Sequence, residues 1–464
     1  MMHLRTISVA VVALAAAGTI GAGAMEQQQQ APPPPASSQQ TEIGVRLTGD
    51  PSRKPVLAVP NFIGIGADNE TQTAARVIAE VLHDDFAFER EFDLVGRPAL
   101  AGIRMSATPA EIPWDRFREA GADSVVVGTV EKTSRGATVR VYLYRVDGQQ
   151  QVFAKEYTGA SIANPRFIAH TIADEVHLTQ GLQGVARTKL TFSSNRDGDR
   201  AAATFAQRAA QEIYISDYDG ANQRRVTVNR SLNITPSWSP DGQAIAYTTY
   251  VSGFPDINVS WIYKGLLKRP ANGNDRDHNF LPAFSPDGTR IAFSSNRDGN
   301  NEIYVMNVDG TGVRRITNHR SIDTTPTWSP SSTHIAFVSE RSGSPNIWRV
   351  DAQGLEQPVK LTNDSHVDRP TWSPPPLNQI AYTSRTGGAG FDIKILDVAT
   401  GAVRAVTTGE GSNESPAFSP TGRHVAFTTT RWGKTQIAIV GRDGRGLKRV
   451  TRDGENKFPN WSRR

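Results

Sequence analysis

Pro282-Ala283-Phe284-Ser285-Pro286-Asp287-Gly288 leads into Ile291-Ala292-Phe293-Ser294. After the turn Ser295-Asn296-Arg297-Asp298-Gly299 comes Glu302-Ile303-Tyr304-Val305-Met306. Pro286 presets φ for a turn, and Asp287-Gly288 tolerates the positive φ that closes it. The segments on either side alternate in the β manner. Asp309-Gly310 ends the third segment, and Arg314-Arg315-Ile316-Thr317 reads as a short fourth strand. Each strand is too small to bury its own face, so such units make a core only by stacking on copies of themselves.

The copies are present. Pro-x-[Trp/Phe]-Ser recurs at Pro236, Pro282, Pro326, Pro370, Pro416 and Pro459, every 43 to 46 residues. That period is one four-stranded propeller blade. The Ser-Pro-Asp-Gly turn is intact at Ser239-Pro240-Asp241-Gly242 and eroded at Ser329-Pro330-Ser331-Ser332, Ser373-Pro374-Pro375-Pro376 and Ser419-Pro420-Thr421-Gly422. An arginine recurs after the second strand as Arg196, Arg297, Arg341, Arg385 and Arg431, while the first repeat has Val251-Ser252-Gly253 there. Residues that repeat with the frame belong to the frame, so these arginines and the Trp/Phe positions read as packing rather than as a ligand site.

The two ends of the repeat region do not match. A first-strand motif at Pro459-Asn460-Trp461-Ser462 has no strands after it. Lys189-Leu190-Thr191-Phe192-Ser193, Glu212-Ile213-Tyr214-Ile215-Ser216 and Arg224-Arg225-Val226-Thr227 have no first strand before them. Joining the two closes a six-bladed ring and removes the open edge. The expected fold is therefore a two-domain α+β chain, a mixed α/β domain followed by a six-bladed β-propeller over residues 184–464.

Ahead of it, Arg5, an apolar run over residues 7–17 and Ala22-Gly23-Ala24 make residues 1–24 a secretory leader. The run is too short for a good membrane span. The chain has no cysteine. Folding then needs no oxidant, and thiol catalysis, thiolate metal sites and a lipidated mature N-terminus are not expected. Residues 25–41, rich in Gln, Pro, Ala and Ser, form a spacer. In residues 42–50, Ile43, Val45 and Leu47 alternate around Arg46, which suits either an edge strand or a peptide that adds to another protein's sheet. Residues 51–183 read as the mixed domain. Strands are expected near 56–59, 92–95, 124–130, 138–146 and 151–157, and helices over 71–86, 114–120 and 165–178, with Ala75, Ile78, Ala79 and Leu82 on one face.

The formal charge is +5, or +4 once Arg5 leaves with the leader, and both signs are interspersed. No nucleic-acid footprint results. One cluster, Arg442, Arg445, Lys448, Arg449 and Arg452, reads as a solvated blade edge, with anionic lipid or glycan as the less common reading. No Gly-x-Ser-x-Gly elbow occurs, nor a His-x-x-x-His pair, and Gly64-Ile65-Gly66 is a bare Gly-x-Gly. His170 and His177, with Asp174 and Glu175 between them, suit a metal site or, more commonly, a satisfied helix surface. Asn307-Val308-Asp309-Gly310 could hold Ca²⁺, yet Asp-Gly is also default turn chemistry. No catalytic residue, cofactor or metal is assigned. The residues entering each inner strand are Ile234-Thr235, residues 278–281, Thr324-Thr325, Asp368-Arg369, Glu414-Ser415 and Lys457-Phe458. They vary while the frame repeats, as a protein-docking rim should.

The chain resembles the TolB family, periplasmic propeller proteins of Tol-Pal systems. The likeness lies in Lys54-Pro55-Val56-Leu57-Ala58-Val59-Pro60-Asn61-Phe62, Asp123-Ser124-Val125-Val126-Val127-Gly128, His170-Thr171-Ile172-Ala173-Asp174-Glu175-Val176, Ser216-Asp217-Tyr218-Asp219-Gly220, the repeats, and Lys457-Phe458-Pro459-Asn460-Trp461-Ser462. The resemblance implies a monomeric, non-enzymatic periplasmic scaffold. It would bind the lipoprotein Pal at the propeller mouth through His278, Leu281 and Thr324, and TolA through Ile43, Val45, Arg46 and Leu47. Through Pal it would associate peripherally with the outer membrane, supporting its integrity and its invagination at division. The alternative is an exported propeller scaffold with a different protein partner. An enzyme would need a catalytic domain or a channel His-metal cluster, and the sequence shows neither. Two features depart from the family: the spacer before residue 42, and an apparent insertion at 195–211.

Overall fold

The computed structural model describes residues 53–106, 111–198, 210–385, 387–388 and 390–463. The expected leader, spacer and segment 42–50, with Ile43, Val45, Arg46 and Leu47, lie outside them, as does most of the apparent insertion.

The first domain is built on one mixed sheet. Strands β1 (Val56–Ala58), β2 (Ile63–Ile65), β3 (Asp93–Leu94), β4 (Ser124–Thr133), β5 (Gly136–Arg145) and β6 (Gln151–Ala160) run in the order β3-β1-β4-β5-β6, with β2 also on β4. The β1, β2 and β3 pairings are parallel, and β4-β5-β6 is an antiparallel meander. Val126, Val130, Val139 and Val141 pack against α1 (Asn69–Glu89) and α4 (Pro165–Thr179) on one face. Val125, Val127 and Tyr144 meet α2 (Arg97–Leu100) and α3 (Trp114–Glu119) on the other. The expected stripe Ala75, Ile78, Ala79 and Leu82 is buried against Ile172, Ala173 and Val176 of α4. Asp68 caps α1 by accepting the Thr71 N–H at 2.9 Å.

The rest of the described chain forms six four-stranded antiparallel sheets. Five are continuous in sequence, beginning with Asn233–Trp238, Asn279–Phe284, Asp323–Trp328, Val367–Trp372 and Asn413–Phe418. The sixth joins the two chain ends: Asn456–Trp461 pairs with Lys189–Ser194, which pairs with Glu212–Asp217 and then Arg224–Arg225. The expected closure is observed. Each motif aromatic packs between blades, as Trp238 does against Ile213, Ile245 and Tyr247.

The Asp-Gly turns do more than reverse the chain. Gly220, at φ 90°, lies where a Cβ would meet the Val450 carbonyl oxygen at 2.3 Å, and at Gly310 (φ 92°) it would meet Pro270 O at 2.5 Å. Turn conformation and inter-blade contact both require glycine there. The repeated arginines are frame residues as expected. Arg297 lies over Phe293 and Tyr304 and donates to Asn279 Oδ1 at 2.8 Å, and Arg341 lies over Phe337 and Trp348 and pairs with Asp323. Arg385 lies over Phe391, and among the described residues it has no counterpart of the Asn or Asp bond, because Val367 stands where the other blades carry Asn or Asp.

Candidate functional site

Each inner strand breaks register at its proline. The shift falls between Ile234 and Ser237, Phe280 and Ala283, Thr324 and Thr327, Asp368 and Thr371, Glu414 and Ala417, and Lys457 and Asn460. Proline suits a bulge because it has no N–H to leave unpaired in the ladder. The residue before it takes the left-handed conformation in every blade: Thr235 (φ 52°), Leu281 (59°), Thr325 (50°), Arg369 (52°), Ser415 (54°) and Phe458 (57°). This opposes the local rule, which pushes a pre-proline residue to extended backbone. Neighbouring blades hold the strain. Leu281 N donates to Thr248 Oγ1 at 2.9 Å, Ser415 N to Thr383 Oγ1 at 2.9 Å, and Phe458 N to Thr428 Oγ1 at 3.1 Å. The six residues line a cavity of ≈ 120 Å³ on the propeller axis.

At the mouth above this ring, His278 and Leu281 belong to one blade and Thr324 to the next. His278 N donates to Asn296 Oδ1 at 2.7 Å, and its half-buried ring lies parallel to Phe254 at 6.4 Å. Thr324 Oγ1 sits 3.3 Å from Ser294 Oγ. Leu281 lines the channel itself. Sequence reasoning located the rim and missed the left-handed ring, whose signal, a proline at every entry, was read only as turn and strand grammar.

The opposite face, formed by the turns after the inner and third strands, carries the first domain over the blade of Asn413–Phe418 and the closing blade. Phe88 at the end of α1 stacks on His424 at 4.3 Å and packs on Tyr218 at 4.8 Å. Glu89, buried, accepts Val185 N at 2.6 Å and pairs with Arg423. Arg90 makes two bonds of 3.1 Å to Asp443. Burial pulls the His424 imidazole down to about 4. Asp443, bonded to Arg90, is lowered to about 2.

The surface reading of His170 and His177 is corrected here, since both are buried. Their seven-residue spacing puts them on one face of α4, and that face turns towards α1 and the propeller. His170 Nδ1 lies 2.8 Å from Asp85 Oδ2, and Asp85 Oδ1 accepts Tyr218 OH at 2.7 Å. Burial pulls the His170 imidazole down, but the hydrogen bond and charge of Asp85, with Asp219 and Asp217, outweigh it and raise the value. His170, Asp217 and Asp219 bring ligand atoms within 4.8 Å of one another, a metal-like geometry. Yet Asp217 is paired with Lys189 and Asn222, and Asp219 with Arg166, so the cluster balances its charge without an ion. Asp309 bonds Thr311 N at 2.9 Å and Thr311 Oγ1 at 2.7 Å, which is turn chemistry. The basic cluster is partly absorbed by packing, Lys448 lying over Phe88 and Tyr218 and Arg449 over Trp432.

Residues 177–464 match the family model described as TolB beta propeller domain, and residues 43–152 match TolB amino-terminal domain. The chain is 32% identical over 275 residues to the Tol-Pal system protein TolB of Desulfosudis oleivorans, covering 59% of this chain and 60% of that protein. It is 35% identical over 203 residues to the protein of that name from Geobacter sulfurreducens, covering 43% of each. The match thus spans about three fifths or less of these relatives' length. The crystal structure of TolB from Acinetobacter baumannii superposes with a TM-score of 0.73 at 27% identity, covering 88% of this chain and 97% of that one.

Proposed function

The chain belongs to the TolB family, and from that premise we propose that it is a periplasmic, non-enzymatic docking protein of a Tol-Pal system. A Pal-type lipoprotein sits on the open mouth over His278, Leu281 and Thr324, and a TolA-type partner takes residues 42–50 through Ile43, Val45, Arg46 and Leu47. Residues 1–24 direct export and residues 25–41 act as a tether. Held to the outer membrane through the lipoprotein, the monomer supports envelope integrity and invagination at division.

One observation carries the reading. The mouth residues differ from blade to blade on a frame that does not, while α1 and α4 pack on the opposite side, against the blade of Asn413–Phe418 and the closing blade. The test is co-purification from periplasm with His278→Glu and Thr324→Glu, which put carboxylates into the docked face. Loss of lipoprotein capture, with an unchanged unfolding midpoint, is expected. Capture that survives both changes overturns the proposed face.

A further inference from the structure

Five of the six left-handed channel residues present hydroxyl or apolar side chains. The sixth is Arg369. Its guanidinium lies over the Phe458 ring, 4.6 Å from the centroid. Its Nε is buried without a hydrogen-bond partner among the described residues, and the Asp368 carboxylate stands 3.6 Å off, beyond hydrogen-bond reach. Thr325 Oγ1, in the wall of the same cavity, is likewise buried and unpartnered. Removal from water lowers the Arg369 pKa, against the opposing charges of Asp368 and Glu414.

An arginine remains charged in a protein, and here the side chain is 24% exposed with the Asp368 carboxylate as its ion-pair partner, which leaves the buried Nε–H without an acceptor. A hydrogen-bond acceptor entering the channel would satisfy it. The fork of the guanidinium matches a carboxylate, and the aromatic ring beneath it holds the fork flat. The Thr325 hydroxyl adds a donor. The cavity, ≈ 120 Å³ and open to solvent, has room for a carboxylate group.

We propose that the channel at Arg369 is a carboxylate-binding site, filled in the cell by an acidic side chain of the protein docked on the mouth. The site stands on the geometry alone, whereas the source of the carboxylate rests on the docking reading above.

The experiment has two arms, run on the full chain and on Arg369→Gln. The first uses acetate, with acetamide as its neutral isostere, read by saturation-transfer NMR and by the unfolding midpoint. Wild type should bind acetate and not acetamide and be stabilised by acetate, and the variant should bind neither. No acetate signal in wild type or an equal signal in both chains overturns the site. Should Arg369→Gln not fold, Arg369→Lys carries the arm. It keeps the charge and loses the fork, and acetate affinity should fall about tenfold; unchanged affinity overturns the site. The second arm measures the Pal-type domain. An affinity at least about tenfold weaker for Arg369→Gln supports the source, and equal affinity refutes it while leaving the docking face standing. If that domain binds neither chain, the docking reading fails, and with it the source, while the acetate arm still decides the site.

Discussion

Removing residues 456–464 should abolish the folded propeller. The deletion takes the inner strand of the closing blade and opens the ring between Lys189–Ser194 and its neighbours. Trp461 is 5% exposed, and truncating a buried Trp alone costs about 3–5 kcal/mol. Among the further bonds lost are five between the strand and other parts of the ring: Arg196 to Asn456 (2.9 Å), Asn456 to Gln436 (3.1 Å), Phe458 N to Thr428 (3.1 Å), Trp238 N to Asn460 (2.8 Å) and Trp461 Nε1 to Thr188 (2.7 Å). At about 1 kcal/mol each these bring the loss to about 8–10 kcal/mol before any ladder bond is counted. Natural domains hold only about 5–15 kcal/mol in all. Urea unfolding followed by far-UV circular dichroism is the assay. The full chain and one lacking only residues 463–464 should share a cooperative transition, and the chain ending at residue 455 should have none. Trp461→Phe is the graded control, because Phe284 and Phe418 already fill the equivalent position in other blades. A chain ending at residue 455 that unfolds at the full-length midpoint refutes closure by the terminal strand.

Three further outcomes concern the contact between the domains. His424 is held near 4 in the fold against about 6.5 unfolded, so below pH 6.5 the unfolded chain takes up the proton first and stability is lost towards pH 4. The stability difference between wild type and His424→Gln should therefore change by about 3 kcal/mol across that window and be flat above it; a constant difference in urea titrations at pH 7.5 and 4.5 rejects the assignment. His170, raised, has the opposite sign: its contribution is complete below 6.5 and fades as pH rises beyond it. Glu89→Ala strands Arg423 and the Val185 N–H and should cost about 3–5 kcal/mol in urea unfolding, with acetate binding at the channel unaltered.

The blades were legible because their grammar is local. A turn, an aromatic and a proline recur at one period, and the unmatched motif at Pro459 supplied what the strands from Lys189 lacked. Helix α1 was legible for a similar reason, its stripe having a single period. What lay hidden depends on contacts far along the chain. Periodicity puts His170 and His177 on one face but cannot say that Asp85 and Tyr218 cover it. Gly64-Ile65-Gly66 read as a bare Gly-x-Gly with no phosphate-cradling loop around it. It belongs instead to β2, whose Gly64 carbonyl and the following Gly66 carbonyl both accept the Gln72 side-chain amide, at 2.9 and 2.8 Å. The channel conformation was concealed more thoroughly, since local sterics argue against it at every copy.

That concealment bears on function. A left-handed non-glycine residue costs on the order of 1–3 kcal/mol, and the ring carries six of them. The bulge gathers these six residues around one cavity, and hydroxyls of Thr248, Thr383 and Thr428 tie three of them to neighbouring blades. The prolines and the motif aromatics are fixed by the frame, so the residue between rim and proline is where the channel can change without disturbing the blades. Five blades use that freedom for Thr, Leu, Ser or Phe, and one places a guanidinium there. A frame residue would recur, and Arg369 does not; its Nε is buried without a hydrogen-bond partner among the described residues. Its place in the ring, just inside the rim, therefore argues for a ligand that enters from the mouth.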